Sequence, residues 1–188
     1  MLVLASASPR RSELLRNAGI PFEVQAADVP EVPMKGEKPL EFAMRVARAK
    51  ADAIAQLRPE AFILAADTIV VVDNKILNKP EDSADATRML RLLSDRAHDV
   101  TTAVCLIFPQ AAERITTQET TRVHFSLLTD DDIATYIATG EPMDKAGAYA
   151  IQGIAGRWID RIEGDYFNVV GLPVAKVYRI LRQCGALK

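Results

Sequence analysis

The chain has 188 residues and a net charge of -2, with 49% hydrophobic and 26% charged residues, and such a balance excludes a nucleic-acid binder that works through a broad basic surface. The length holds one sizeable core, so a single domain over residues 1–188 is expected. No stretch approaches the roughly 18 apolar residues that span a bilayer, and Cys105 and Cys184 form no CxxC pair, so a cytoplasmic protein with two reduced thiols is expected.

Leu2 to Ala5 reads as a short buried strand, followed by the small residues Ser6, Ala7 and Ser8. Ser8 suits an N-cap and Pro9 a first helical residue, with Leu14, Leu15 and Ala18 as the apolar face and Gly19 as the stop. A helix start of this kind binds anions. Arg10 and Arg11 oppose the dipole there, which a bound phosphate would explain; a solvated pair is the other reading. Phe22 to Ala26 suggests a second strand, and Asp28 to Lys38, containing Glu31, a loop.

From Pro39 to Arg58 the spacing of Leu40, Ala43, Val46, Ala47, Ile54 and Leu57 predicts a helix, with Lys50 near its apolar edge, where snorkelling would account for it. Two apolar runs, Ala61 to Ala66 and Ile69 to Val72, flank Asp67-Thr68. A carboxylate there is expected to be at least partly buried, which marks it as a site candidate; a turn or bulge at a sheet rim is the alternative. Asp73-Asn74 signals a hairpin, and Lys79 follows in a loop. Asp82 or Ser83 caps a helix to about Leu93, and Ala97–Phe108 and Arg114–Leu128 read as two long strands.

His98 and His124 have no zinc-ligand spacing. Thr129 with Asp130, Asp131 and Asp132 reads as a capped helix start rather than a metal site. Arg157–Ile162 alternates like a strand, and Asn168–Pro173 leads into a last helix with Val174, Val177, Tyr178 and Leu181 inward.

An anion cradle, two acids (Glu31, Asp67) and two isolated lysines (Lys50, Lys79) form a set that phosphoryl chemistry uses. Ala5-Ser6-Ala7-Ser8-Pro9-Arg10-Arg11, Ala66-Asp67-Thr68, Asn78-Lys79-Pro80, Asp144-Lys145-Ala146-Gly147-Ala148-Tyr149, Ile151-Gln152-Gly153, Gly164-Asp165-Tyr166 and Asn168-Val169-Val170-Gly171-Leu172-Pro173 occur in the order seen in the Maf family, which the chain resembles over essentially its whole length. The resemblance implies an α/β, ITPase-like fold with a strongly twisted mixed sheet flanked by helices and an active-site cleft between two lobes. It implies a nucleoside triphosphate pyrophosphatase that uses Mg²⁺ or Mn²⁺, and a homodimer. Asp67 would be the catalytic acid/base, with Glu31 beside it in the metal shell. Ser8, Arg10, Arg11, Lys50 and Lys79 would contact the triphosphate, and Arg10, Thr68 and Gln152 would bear on base choice.

The Ala-Tyr-Ala-Ile-Gln-Gly form of the late motif resembles the branch acting on dTTP and UTP, since a primary amide can pair with both the imide N–H and a carbonyl of uracil or thymine. The competing readings are the same reaction on 7-methyl-GTP or another non-canonical purine nucleotide, and a nucleotide-binding cell-division regulator with little catalysis. One departure is visible: Val29 and Pro30 separate acids that run closer together in relatives.

Overall fold

The computed structural model describes residues 1–111 and 113–187. Among them the order is β1 (Leu2–Leu4), α1 (Pro9–Asn17), β2 (Glu23–Val24), α2 (Pro39–Leu57), β3 (Phe62–Val72), β4 (Lys75–Leu77), α3 (Ser83–Leu93), β5 (Ala97–Ile107), β6 (Arg114–Phe125), α4 (Asp130–Ala138), β7 (Ile159–Glu163), α5 (Tyr166–Val170) and α6 (Val174–Gln183). The strands form one mixed sheet of seven, ordered β2-β1-β3-β5-β6-β7, with β4 paired to β3. The mixed α/β class expected from the sequence is the one found. No helix among the described residues is long and apolar enough to cross a membrane.

The chain divides into two compact units. The first comprises Met1–Thr68, Thr102–Glu119 and Gly171–Lys188. Here β1 pairs in parallel with β2 and with β3, in the register Leu2↔Phe62, Val3↔Ile63 and Leu4↔Leu64. Leu2 to Ala5 and Ile63 to Ala66 are all buried, which is why both read as continuous apolar runs. The expected β2 shortens to two exposed residues. Helix α1 ends as its sequence predicts: Gly19 takes φ +68°, its N–H donates to Arg16 O (3.0 Å), and Ile20 N–H donates to Leu15 O (3.0 Å). Leu14 and Leu15 are buried, but Ala18 is exposed and the third buried residue of the helix is Arg11. In α2 the buried stripe is Phe42, Ala43, Val46, Ala47, Lys50, Ala51 and Ile54. Lys50 therefore lies inside the stripe, not at its edge, while Leu40 and Leu57 near the helix ends are exposed.

The second unit comprises Ile69–Thr101 and Thr120–Val170. The end of β3 turns into β4 through Asp73 and Asn74, at φ 49° and 60°, a two-residue hairpin with register Val70↔Leu77. Asp82 caps α3 by accepting from Asp85 N–H at 2.8 Å. β6 ends at Phe125, short of the expected Leu128, and β7 pairs antiparallel to it. The core gathers Val70, Val72, Leu90, Leu93, Val123, Phe125, Tyr136 and Trp158. A short helix, α5, takes up the first residues of the Asn168–Pro173 stretch that leads into the last helix. In the first unit's α6, Val177 and Leu181 are buried as expected, whereas Tyr178 is 46% exposed.

Candidate active site

The strand-to-helix turn at the start of the chain is closed by Ser6. Its buried hydroxyl accepts from Ser8 N–H (3.2 Å) and from Arg11 Nη1 (3.1 Å). Ser8 is the N-cap of α1 in extended conformation, but its side chain makes no capping bond. The expected cap is thus a matter of backbone shape, and the half-buried hydroxyl is not spent on the helix. Arg10 is half-buried in the first turn.

Arg11 is not a solvated surface residue. It is 8% exposed, and its guanidinium donates from Nε to Gly171 O (2.8 Å), from Nη1 to Ser6 Oγ and from Nη2 to Thr68 Oγ1 (3.0 Å). Burial lowers its pKa, against the opposing pull of Asp67 and Glu31. A guanidinium stays charged in proteins, so each bond to it is charge-assisted. The residue works as a strut joining the β1 turn, β3 and the backbone just before α6. Gly171 takes φ +132°, a conformation that a side chain would strain, and its hypothetical Cβ would lie 3.7 Å from both Arg11 Nε and Thr68 Oγ1. Thr68 Oγ1 also meets Thr102 Oγ1 at 2.9 Å. Thr102 carried no sequence signal, being one of two adjacent threonines in a strand.

Asp67 lies within β3, which runs through it without a turn. The strand pairs in parallel with β1 as far as Leu64 and antiparallel with β4 from Val70, so Asp67 and Thr68 fall between the two pairing stretches. Asp67 is 5% exposed. Lys50 Nζ reaches Asp67 Oδ1 and Glu31 Oε1, each at 2.8 Å. Burial of an unpaired ammonium on an apolar stripe would be costly, and these two carboxylates are what makes it tolerable. They replace the snorkelling explanation for Lys50. Burial raises the Asp67 pKa above the ordinary carboxylate range, only partly offset by the charge and hydrogen bond of Lys50 and the charge of Arg11, while Glu31 adds to the rise. Such a carboxylate is a stronger proton acceptor than an exposed one.

The first unit thus brings together Glu31, Lys50 and Asp67 around one ammonium, and Arg11 and Thr68 around one hydroxyl. Lys79 and Gln152 belong to the second unit, and both are exposed. Lys79 follows β4 in the loop whose Asn78 O accepts from Gly147 N–H at 3.1 Å, so the Asn78-Lys79-Pro80 and Asp144–Tyr149 motifs are tied to each other. Gln152 sits in a tight turn in which Gly153 N–H donates to Ala150 O at 3.1 Å.

The other candidates resolve as structural. His98 is buried, bonded through Nε2 to Tyr149 Oη at 2.8 Å, and desolvation lowers its pKa to about 3. His124 meets Glu163 at 2.9 Å on the surface. Thr129 and Asp132 form a reciprocal cap, with both backbone-to-side-chain bonds at 3.1 Å. Among the described residues no three His, Cys, Asp or Glu side chains group closely enough to hold a metal unaided, and both cysteines are free.

The family described as "Maf: Maf-like protein" matches residues 1–184. A protein of Koribacter versatilis named "dTTP/UTP pyrophosphatase" is 58% identical over 99% of this chain and 95% of its own. One of Geobacter metallireducens with the same name is 51% identical over 99% of this chain and 97% of its own. Among solved structures, the Staphylococcus aureus Ham1 protein aligns at a TM-score of 0.43 with 17% identity, over 66% of this chain and 71% of that one.

Proposed function

The chain belongs to the Maf-like protein family, and on that premise we propose that it hydrolyses dTTP and UTP to the nucleoside monophosphate and pyrophosphate. The observation that carries the reading is the buried Asp67–Lys50 pair with the exposed Glu31 on the same ammonium, a proton acceptor held beside a cation in a chain whose relatives are named pyrophosphatases. Water beside Asp67 attacks the α-phosphorus and gives its proton to the Asp67 carboxylate. The bond from the α-phosphorus to the bridging oxygen breaks, and pyrophosphate leaves with the electron pair. Arg10, Arg11, Lys50 and Lys79 offset the charge that builds as the bond breaks, and the Ser8 hydroxyl donates to a phosphate oxygen.

The two carboxylates meet on the Lys50 ammonium and keep further oxygen lone pairs, and oxygen donors of this kind fit a hard divalent cation that completes its shell with water and substrate phosphates. Glu31 and Asp67 would hold Mg²⁺ or Mn²⁺, which when bound would draw charge from the phosphate oxygens. Gln152 offers one donor and one acceptor to the base, with Arg10 and Thr68 bearing on the same choice. Thr68 does so under constraint, because its hydroxyl already bonds Arg11 and Thr102.

Initial rates on dTTP, UTP, CTP, GTP, ITP and 7-methyl-GTP test the substrate. dTTP and UTP are expected to exceed the others in kcat/KM by about a hundredfold, the scale at which an amide covered by the base and left unpaired penalises a mismatch. A preference for 7-methyl-GTP or ITP would overturn the assignment.

A further inference from the structure

The turn that carries Gln152 is gripped on both sides by one pair of side chains that no sequence motif singled out. Tyr136, on α4, accepts from Ala150 N–H at 3.3 Å and donates to Glu141 Oε1 at 2.8 Å. Glu141 in turn accepts from Ile154 N–H, at 3.1 Å to Oε1 and 3.3 Å to Oε2. The tethered amides lie two residues before and two residues after Gln152.

The pair is itself well anchored. The Tyr136 ring is fully buried and packs edge-on against Trp158, with centroids 5.4 Å apart. Glu141 N–H donates to Thr139 Oγ1 (3.2 Å), and its carbonyl accepts from Lys145 Nζ (3.3 Å). The carboxylate lies close against the turn: a Cβ at position 153 would be 2.2 Å from Glu141 Oε1, so any side chain there would push the carboxylate off the turn. Burial and the bond to Glu141 raise the Tyr136 pKa, so the phenol keeps the proton it donates. Gln152 itself is exposed, and among the described residues its side chain has no partner. No other side chain fixes its amide, so the point from which the side chain reaches out is what the fold controls, and Tyr136 and Glu141 tether the backbone on either side of that point.

We propose that Tyr136 and Glu141 are positioning residues for base selection, holding the turn so that the Gln152 amide meets the base in one fixed geometry. This rests on the reading of Gln152 as the base-contacting residue. A turn free to shift would carry the amide out of reach of one of its two bonds to the base, so discrimination falls before catalysis does.

The test compares Tyr136→Phe, Glu141→Ala, Glu141→Gln and Gln152→Ala with the unmodified protein. It uses kcat and KM for UTP and CTP, together with hydrogen exchange at the amides of residues 150–154. Tyr136→Phe keeps the buried ring, and Glu141 is partly exposed, so these variants are expected to fold. Tyr136→Phe and Glu141→Ala are expected to speed exchange at Ala150 and Ile154 and to lower the UTP-to-CTP ratio of kcat/KM about tenfold, mainly through KM, the scale of one or two lost hydrogen bonds. Glu141→Gln retains an acceptor and should recover most of the ratio. In a Gln152→Ala background, Tyr136→Phe should add nothing to the loss, because both act through one amide. Unchanged exchange would overturn the inference, and so would faster exchange with an intact ratio where Gln152→Ala lowers it. A Gln152→Ala variant with undiminished discrimination would instead overturn the reading of Gln152, and the inference with it, however the turn exchanges.

Discussion

Asp67→Asn is expected to lower kcat for UTP by about a thousandfold, the middle of the range for losing a positioned proton acceptor, while leaving nucleotide affinity within a few-fold. An amide of the same shape fills the same place in β3 and can still accept from Lys50, so the binding surface persists. What disappears is the capacity to take a proton from water. The variant should not fold less well. Burial holds the Asp67 pKa above its unfolded value, so the ionised carboxylate costs folding free energy. That cost is absent below the unfolded pKa and grows as pH rises through the folded one. Removing it should leave the variant at least as stable at neutral pH, with the difference fading as pH falls below the ordinary carboxylate range. Urea denaturation at several pH values, beside steady-state kinetics, checks both halves. An Asp67→Asn variant that turns over UTP at the original rate would contradict the role of Asp67.

Lys50→Met should have the opposite signature. The thioether fills the stripe of α2 as the lysine stem does, so packing is nearly kept. The ammonium between Asp67 and Glu31 is lost, leaving one carboxylate buried without its partner and a second nearby. Breaking a buried pair in this way costs about 3 kcal/mol. The deficit should be greater at pH 8 than at pH 5, since protonation of Asp67 relieves it. The double substitution Lys50→Met with Asp67→Asn should recover most of the loss, because only the surviving charge makes the single change costly. Denaturation midpoints at constant slope measure all three. A single variant as stable as the parent at pH 8 would show that Lys50 does not compensate the two acids. Turnover should fail in both the single and the double variant.

These two side chains also mark where the sequence was legible and where it was not. The period of α2 was plain, and Lys50 falls on it with Phe42, Val46 and Ile54. Periodicity alone treats a lysine on an apolar face as one that snorkels, because it says nothing of partners 19 residues before and 17 after. β3 looked like two runs because an acid broke the apolar pattern; one strand carries it because Asp67 has a buried cation to face. Arg11 has the same explanation. A cation in the first turn of a helix reads as outward, and partners as distant as Thr68 and the Gly171 carbonyl, 57 and 160 residues away, turn it inward. Local signals did better. Gly19, Asp73-Asn74, Asp82 and Thr129 each act through bonds within a few residues, and each does what its chemistry predicts. Tyr136 and Glu141 left no trace, since a buried tyrosine and a surface glutamate are ordinary until the turn between Ala150 and Ile154 is seen to hang on them.

Hydrolysis of UTP in water enriched with heavy oxygen tests the central proposal most directly. Attack at the α-phosphorus places one heavy oxygen in UMP and none in pyrophosphate. Label in the pyrophosphate, or release of UDP with orthophosphate, would contradict it.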